Sequence, residues 1–134
     1  MKTLAGVVLL GLAVAAPVQA AVKDAQPNGF TLENSEWVPV APQVAYAALV
    51  NDVGRWWPAD HTWWGDASKL SISDKAGGCF CEINGAQQAW HMTVTFNDPG
   101  KLMRMTGGLG PLQGMGLHGA LEWRFAEENG GTRI

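Results

Sequence analysis

The sequence has little basic charge, few metal-binding residues and no familiar catalytic motif. Its 134 residues include two Cys and three His, and nine Lys and Arg stand against twelve Asp and Glu, which gives a formal net charge of −3 at pH 7. Nucleic-acid binding needs an excess of basic residues, so nucleic acid is not an expected partner. There is no Ser-His-Asp signature and no Gly-rich phosphate loop that leads into a helix. We expect neither a cofactor nor a metal ion.

Long apolar runs are also missing. Lys2 precedes an apolar stretch at residues 4–16 that is too short to span a bilayer, and Val18-Gln19-Ala20 suits cleavage after Ala20. Residues 1–20 are therefore predicted to be a signal peptide, and the protein to be exported, periplasmic or secreted. No stable membrane insertion is expected after cleavage. A short membrane anchor is the alternative.

Residues 21–134 have a length typical of one domain, and their patterns predict an α+β fold. Residues 30–40 alternate between apolar and polar side chains, which indicates a strand. A helix is predicted to begin at Pro42 and end near Asn51, and a second short helix is predicted at 53–57, before Pro58. The apolar face of the first helix is predicted to carry Val44, Ala48 and Leu49.

The rest of the chain predicts strands joined by hairpins, which form an antiparallel meander. The predicted strands are 69–73, 79–83, 88–96, 101–106, 117–125 and a last one that begins at Thr132. In the third, alternation predicts that Trp90 and Met92 face the core while His91 faces away, and His118 is likewise predicted to face solvent. The Gly-rich run 107–116 is predicted to be a loop at the mouth of a cavity.

Residues 54–66, here called the Trp-rich segment, contain four of the seven Trp residues. A Trp side chain has a large apolar body and one N–H that needs a partner, so four of them are difficult to bury in one short loop. The segment is either a hydrophobic plug at one end of a β-rich core or the wall of a ligand cavity. The wall is the favoured interpretation, because loops on a rigid scaffold often carry function.

Four short motifs follow one another along residues 30–134. They are Val40-Ala41-Pro42-Gln43-Val44-Ala45-Tyr46-Ala47-Ala48-Leu49 after the first strand, Arg55-Trp56-Trp57, Gly77-Gly78-Cys79-Phe80, and Asn97-Asp98-Pro99-Gly100-Lys101-Leu102. Together they resemble the SRPBCC, or START-like, superfamily, in the branch of the polyketide cyclases and the activator-of-Hsp90-like proteins. The superfamily shares no single catalytic set, so the resemblance transfers no catalytic residue.

The resemblance implies a helix-grip fold, a curved antiparallel sheet with two short helices after its first strand and a long C-terminal helix that closes a deep apolar cavity. That C-terminal grip helix is absent from this chain, so the domain at 21–134 is expected to be C-terminally incomplete. Expressed alone, it is expected to be insoluble, dimeric or loosely packed. The side chains expected to lack a cover are Trp90, Met92, Val94, Phe96, Leu121, Trp123 and Phe125.

Cys79 and Cys81 are two residues apart on a predicted strand, so their side chains share a face. In an extended chain their Cα atoms would be about 6.5–7 Å apart, at or beyond the usual disulfide range, so a disulfide would need the strand to buckle. A metal site with His91 is a further alternative, although two Cys and one His fall short of a closed zinc shell. Buried free thiols are the favoured interpretation.

His61 is the candidate acid–base of the Trp-rich segment. A neighbouring carboxylate raises the pKa of an imidazole, so Asp60, Asp66 or Glu36 would support proton transfer by His61. A surface His with solvated Asp neighbours is the favoured alternative. Glu36 has the inward parity of the first strand, and if buried it needs a partner such as Arg104 or a ligand; otherwise a bulge turns it to solvent.

These patterns predict an exported domain that binds a small hydrophobic ligand, largely apolar, aromatic or lipid-like, in a Trp-lined cavity. One alternative is a cyclase- or hydrolase-like enzyme that uses His61 with Asp60 or Glu36; the other is an interaction module on envelope proteins. Binding is favoured over catalysis, and Met103 and Met105 are placed inward. The predicted ligand-binding residues are Glu36, Trp56, Trp57, His61, Trp63, Trp64, Trp90, Met92, Leu121 and Trp123.

Overall fold

The computed structural model of the chain describes residues 21–134, and the predicted signal peptide lies outside the described residues. The described residues divide into two compact units, 21–35 and Glu36–Ile134. The second unit is a mixed α+β structure with two helices and mostly antiparallel sheets, as the α+β prediction required. No helix in the described part of the chain is long and apolar enough to cross a membrane.

The described part of the first unit is a β-hairpin. Strands β1 (Ala21–Gln26) and β2 (Gly29–Glu33) pair antiparallel around the turn Pro27-Asn28, and all their residues are exposed. The predicted strand at 30–40 is therefore not continuous. Residues 34–36 separate β2 from the two-residue strand β3 (Trp37–Val38), which pairs with a different partner.

Two helices follow β3, close to their predicted bounds. Helix α1 (Pro42–Asn51) has Pro in its first turn, and α2 (Val53–Trp56) ends shortly before Pro58. The predicted apolar face of α1 is wrong at Val44 and Ala48, which are exposed, and right at Leu49, which packs against the core. The residues of α1 that are buried are Ala45, Tyr46 and Val50. Tyr46 explains the difference, since its ring packs 5.8 Å from that of Phe125 and its hydroxyl donates to Asn97 Oδ1 at 3.0 Å.

The main sheet is the predicted antiparallel meander. Its five strands lie side by side in the order in which they occur along the chain. They are β4 (Leu70–Ile72), β5 (Cys79–Asn84), β6 (Gln87–Asp98), β7 (Leu102–Gly107) and β8 (Gly119–Arg124). The β5–β6 turn requires a left-handed backbone, which Gly85 supplies with φ 63°. A second sheet has the order β3–β10–β9, with β9 at Ala126–Glu128 and β10 at Gly131–Arg133.

The core lies between one face of the main sheet and the two helices, both of which contact β4. Met103 and Met105 are fully buried, as predicted. Met92, Val94 and Phe125 are buried too, although they were expected to lack a cover, and Leu121 and Trp123 are partly buried against the core. Trp90 and Phe96 are exposed, so the predicted inner face of β6 is wrong at these two positions.

Two β-bulges in β6 explain these differences. Phe80 pairs with Met92 while Cys81 pairs with Trp90, so His91 is an extra residue on β6. Thr95 is likewise an extra residue on β6, because its neighbours Val94 and Phe96 pair with consecutive residues of β7. An extra residue shifts the alternation of faces beyond it, and His91 and Met92 are consequently both buried. The prediction that His91 faces solvent is therefore wrong, whereas His118 is exposed as predicted.

Candidate ligand-binding site

A cavity of about 450 Å³ lies within the second unit, where the Trp-rich segment and the Gly-rich loop meet the sheet. Ligand pockets in proteins measure roughly 300–1,000 Å³, so the cavity has room for a small molecule. Most of its lining is aromatic or aliphatic, with a few polar groups. The lining residues are Trp57, Asp60, His61, Thr62, Trp63, Leu70, Phe80, His91, Leu109, Gly110 and Pro111.

The structure brings part of the predicted site to this cavity. Trp57, His61 and Trp63 line it, and so does the candidate acid Asp60. The Gly-rich loop contributes three lining residues, as expected of a loop at a cavity mouth. The other predicted Trp and apolar positions are not in the lining; they are the exposed Trp56 and Trp90, the partly buried Trp64, Leu121 and Trp123, and Met92 in the core.

Glu36 is not among the residues that line this cavity. Its side chain is exposed, and its backbone N–H and carbonyl pair with those of Ile134 at 2.9 and 2.8 Å. Arg104, the proposed partner of Glu36, pairs instead with Glu122 on β8. Of the two alternatives for Glu36, the structure shows the solvent-facing one.

Trp57 and Phe80 form an aromatic corner in the cavity. Their ring centroids are 5.3 Å apart and the rings meet at 75°, and the imidazole of His91 lies 5.4 Å from the Phe80 ring. The indole N–H of Trp57 donates to the carbonyl of His61 at 3.1 Å, which satisfies its one polar group inside the Trp-rich segment. The corner is therefore held by local bonding and needs no ligand to form it.

Glu82 on β5 fastens the Trp-rich segment to the sheet. Its side chain is 0% exposed, and its two carboxylate oxygens accept the backbone N–H groups of Trp63 at 3.0 Å and Trp64 at 3.1 Å. Burying a carboxylate is costly unless its oxygens are satisfied, and here the chain's own amides satisfy them. Sequence reasoning missed Glu82, although it shares strand parity with the buried Phe80 and that pattern could have pointed to it.

His91 is the second buried polar group of the site. Its Nε2 is 3.5 Å from Glu82 Oε2, and its Nδ1 accepts the backbone N–H of Gly110 at 3.4 Å. Burial lowers the pKa of His91, although Glu82 opposes the shift, so the imidazole is uncharged at pH 7 with its proton on Nε2. Both nitrogens are thus occupied, and His91 connects Glu82 to the Gly-rich loop.

The two cysteines form a disulfide, so the prediction of free thiols is wrong. The Cα atoms of Cys79 and Cys81 are 5.4 Å apart, well inside the disulfide range. The strand buckles, as a disulfide at this spacing requires, and the register shift between Phe80 and Cys81 is where it does so. The disulfide and the bulge that buries His91 are therefore parts of one local distortion.

Comparison with known proteins gives no relative from which the site could be interpreted. No family model, no curated protein and no solved structure matches the chain. The resemblance to the SRPBCC superfamily thus stays a prediction, and the function of the site has to be inferred from its geometry and chemistry.

Proposed function

We propose that this protein binds a small, largely apolar ligand, aromatic or lipid-like, in the cavity beneath its Trp-rich segment. The observation that carries the proposal is the cavity of about 450 Å³ with its aromatic and aliphatic lining. Concave sites of this size, mostly apolar with a few polar groups, are typical of small-molecule binding.

The cavity is also held in shape by its own hydrogen bonds. Glu82 fixes the backbone at Trp63 and Trp64, and the Trp57 indole is bonded within the segment. A wall that is ordered before the ligand arrives costs less conformational entropy on binding. This pre-organisation supports a binding site over a hydrophobic plug whose only role is to close the core.

We further propose that the protein is exported and that its second unit belongs to the helix-grip type. The meander with two short helices before it is compatible with that fold, and the motifs around Pro42 and Pro99 support it. The Cys79–Cys81 disulfide supports export, because disulfides persist in oxidising compartments and are rare in the cytosol.

An enzymatic function is the second candidate, because Asp60 and His61 both line the cavity. A cyclase- or hydrolase-like reaction would use His61 as acid–base with Asp60 as its neighbouring carboxylate. Under this alternative, His61→Gln abolishes turnover and leaves ligand binding intact. Turnover that is unchanged in His61→Gln would exclude this role for His61.

Binding is tested with two matched Trp variants. Trp63 and Trp90 have similar exposures of 50% and 55%, but only Trp63 lines the cavity. We expect Trp63→Ala to weaken binding of apolar ligands about ten-fold or more, since a stacked aromatic contact is lost, and Trp90→Ala to leave it unchanged. A panel of aromatic compounds and fatty acids is titrated against Trp fluorescence, and denaturation of both variants is measured alongside.

The outcomes distinguish ligand binding in the cavity from the other proposed functions. A selective loss of affinity in Trp63→Ala with little loss of stability supports the proposal. No binding to the wild-type protein, either of the panel or of the charged and uncharged probes described below, would overturn it. Equal losses in Trp63→Ala and Trp90→Ala would favour an exposed Trp surface that contacts other proteins.

A further inference from the structure

Aromatic side chains form much of the cavity wall. Trp57 and Phe80 meet at 75° with 5.3 Å between their centroids, and Trp63 adds a second indole from the Trp-rich segment. The face of an aromatic ring carries partial negative charge, so several rings around one space attract a cation held between them. Alkylated ammonium groups are the ligands that such cages bind well, because their methyl groups also need apolar contact.

The charge on the cavity lining is negative. Asp60 lines the cavity, and no Lys or Arg of the described residues does so. The imidazole of His91 contributes no positive charge at pH 7, because burial lowers its pKa. The lining therefore offers an entering ligand a carboxylate and aromatic rings, and no ammonium or guanidinium group to pair with an anion.

A second carboxyl group, that of Glu82, lies behind the wall. The partners of the buried Glu82 carboxylate are the backbone N–H groups of Trp63 and Trp64 and the imidazole of His91. Within residues 21–134, Glu82 makes no ion pair with Lys or Arg. Both of its oxygens accept backbone N–H groups. This side of the cavity therefore also has no Lys or Arg that would favour an anionic ligand, and electrostatic interactions are weakly screened in a protein interior.

We propose that the ligand of this cavity is an organic cation whose charge lies on an alkylated ammonium group. The inference rests on the proposed binding function and adds the chemical class of the ligand. A fatty acid would bring its carboxylate toward Asp60 and Glu82, which costs free energy. A primary ammonium donates three hydrogen bonds and needs acceptors that a mostly apolar lining does not supply, whereas a trimethylammonium group donates none.

The test uses three probes of nearly equal shape. Choline carries a trimethylammonium group, 3,3-dimethylbutan-1-ol replaces it with an uncharged tert-butyl group, and 3,3-dimethylbutanoate carries a negative charge. Binding to the wild-type protein is measured by Trp fluorescence at pH 8, above the ordinary pKa of an imidazole. We expect choline to bind about ten-fold more tightly than the alcohol and the carboxylate to bind most weakly.

The outcomes distinguish this inference from the binding function on which it rests. If the alcohol binds as tightly as choline, or if apolar aromatic ligands bind and choline does not, the cation inference is overturned and the binding function stands. If neither the apolar panel nor these three probes bind, the binding function itself is overturned.

A charge-neutralising variant tests the electrostatic argument directly. In Asp60→Asn we expect the preference for choline over the alcohol to fall at least about three-fold. Asp74→Asn is the control, because Asp74 is exposed and does not line the cavity. A preference that is the same in Asp60→Asn as in the wild-type protein would contradict the proposed role of charge.

Discussion

At the scale of single residues, Glu82 determines whether the Trp-rich segment stays on the sheet. Each of its oxygens accepts one backbone N–H, so replacement by an amide leaves one N–H facing another donor. We predict that Glu82→Gln lowers the free energy of unfolding by about 1–3 kcal/mol, the usual cost of a buried unsatisfied group. Urea denaturation measures the change.

Glu127→Gln is the matched control for this substitution. Glu127 lies on the short strand β9 with its side chain exposed, so the same chemical change removes no buried acceptor there. We expect its free energy of unfolding to stay within about 0.5 kcal/mol of the wild-type value. Equal effects in the two variants would show that Glu82 does not anchor the segment.

The buried imidazole of His91 makes the free energy of unfolding depend on pH. Because burial lowers the pKa of His91 in the folded protein, the unfolded chain binds the proton more readily. Its contribution to stability is therefore complete above the ordinary imidazole pKa of 6.5 and is lost as the pH falls below it. We predict that the midpoint of thermal unfolding decreases between pH 7 and pH 5, and that His91→Gln removes most of this slope.

Two features of the chain separate the effect of His91 on the pH dependence of stability from that of other titratable groups. The exposed His118 provides the control variant His118→Gln, which should keep the wild-type slope. The lowered pKa values of Asp66, Glu122 and Glu128 act at more acidic pH, because their ordinary values are 3.8 and 4.5. A slope between pH 7 and pH 5 that persists in His91→Gln would contradict this assignment.

At the scale of elements, the disulfide in β5 and the bulge in β6 act together. Cys79 and Cys81 hold their Cα atoms at 5.4 Å, while a regular strand spaces alternate residues about 6.5–7 Å apart. Without the disulfide the strand is free to extend, the register shift at His91 loses its support, and the imidazole becomes more exposed. We predict that in Cys79→Ala/Cys81→Ala the pKa of His91 rises toward its ordinary value.

NMR titration of the imidazole protons measures this change, with the exposed His118 as the internal reference. Chemical reduction of the wild-type protein should shift the pKa of His91 in the same direction as the double variant. An unaltered His91 titration in both samples would show that pairing along the sheet maintains the bulge without the disulfide.

The elements that could be predicted from the sequence are those that local signals specify. Pro42 and Pro58 bound the helices, and the turn containing Gly85 fixes the β5–β6 hairpin, so these elements were predicted correctly. The bulges at His91 and Thr95 have no local signal, because they depend on the partner strand. His61 and Trp63 were therefore found from the sequence, whereas Glu82 and His91, which β5 and β6 bring together, were not.

At the scale of the whole molecule, the cavity belongs to the second unit alone. All of its lining residues lie between Trp57 and Pro111, inside Glu36–Ile134. We predict that a chain lacking residues 1–35 keeps ligand affinity within about two-fold of the value for the longer chain and unfolds at a similar temperature. Calorimetry and fluorescence titration measure both properties.

Removal of residues 131–134 is the contrasting deletion. It takes away β10, the central strand of the second sheet, together with the fully buried Thr132, whose hydroxyl donates to the carbonyl of Val40 at 2.6 Å. We expect this shorter deletion to destabilise the second unit more than loss of residues 1–35. The opposite order would show that the second unit depends on the hairpin.

The hydrogen bonds between Glu82 and the Trp63 and Trp64 amides also make the opening rate of the cavity wall measurable. These two amide protons exchange with deuterium only when the Trp-rich segment lifts away from β5, so their exchange rate reports how often the wall opens. A ligand too large to enter past the closed wall has to wait for the same event. At high ligand concentration its observed association rate then levels off at the opening rate, and further ligand no longer increases it.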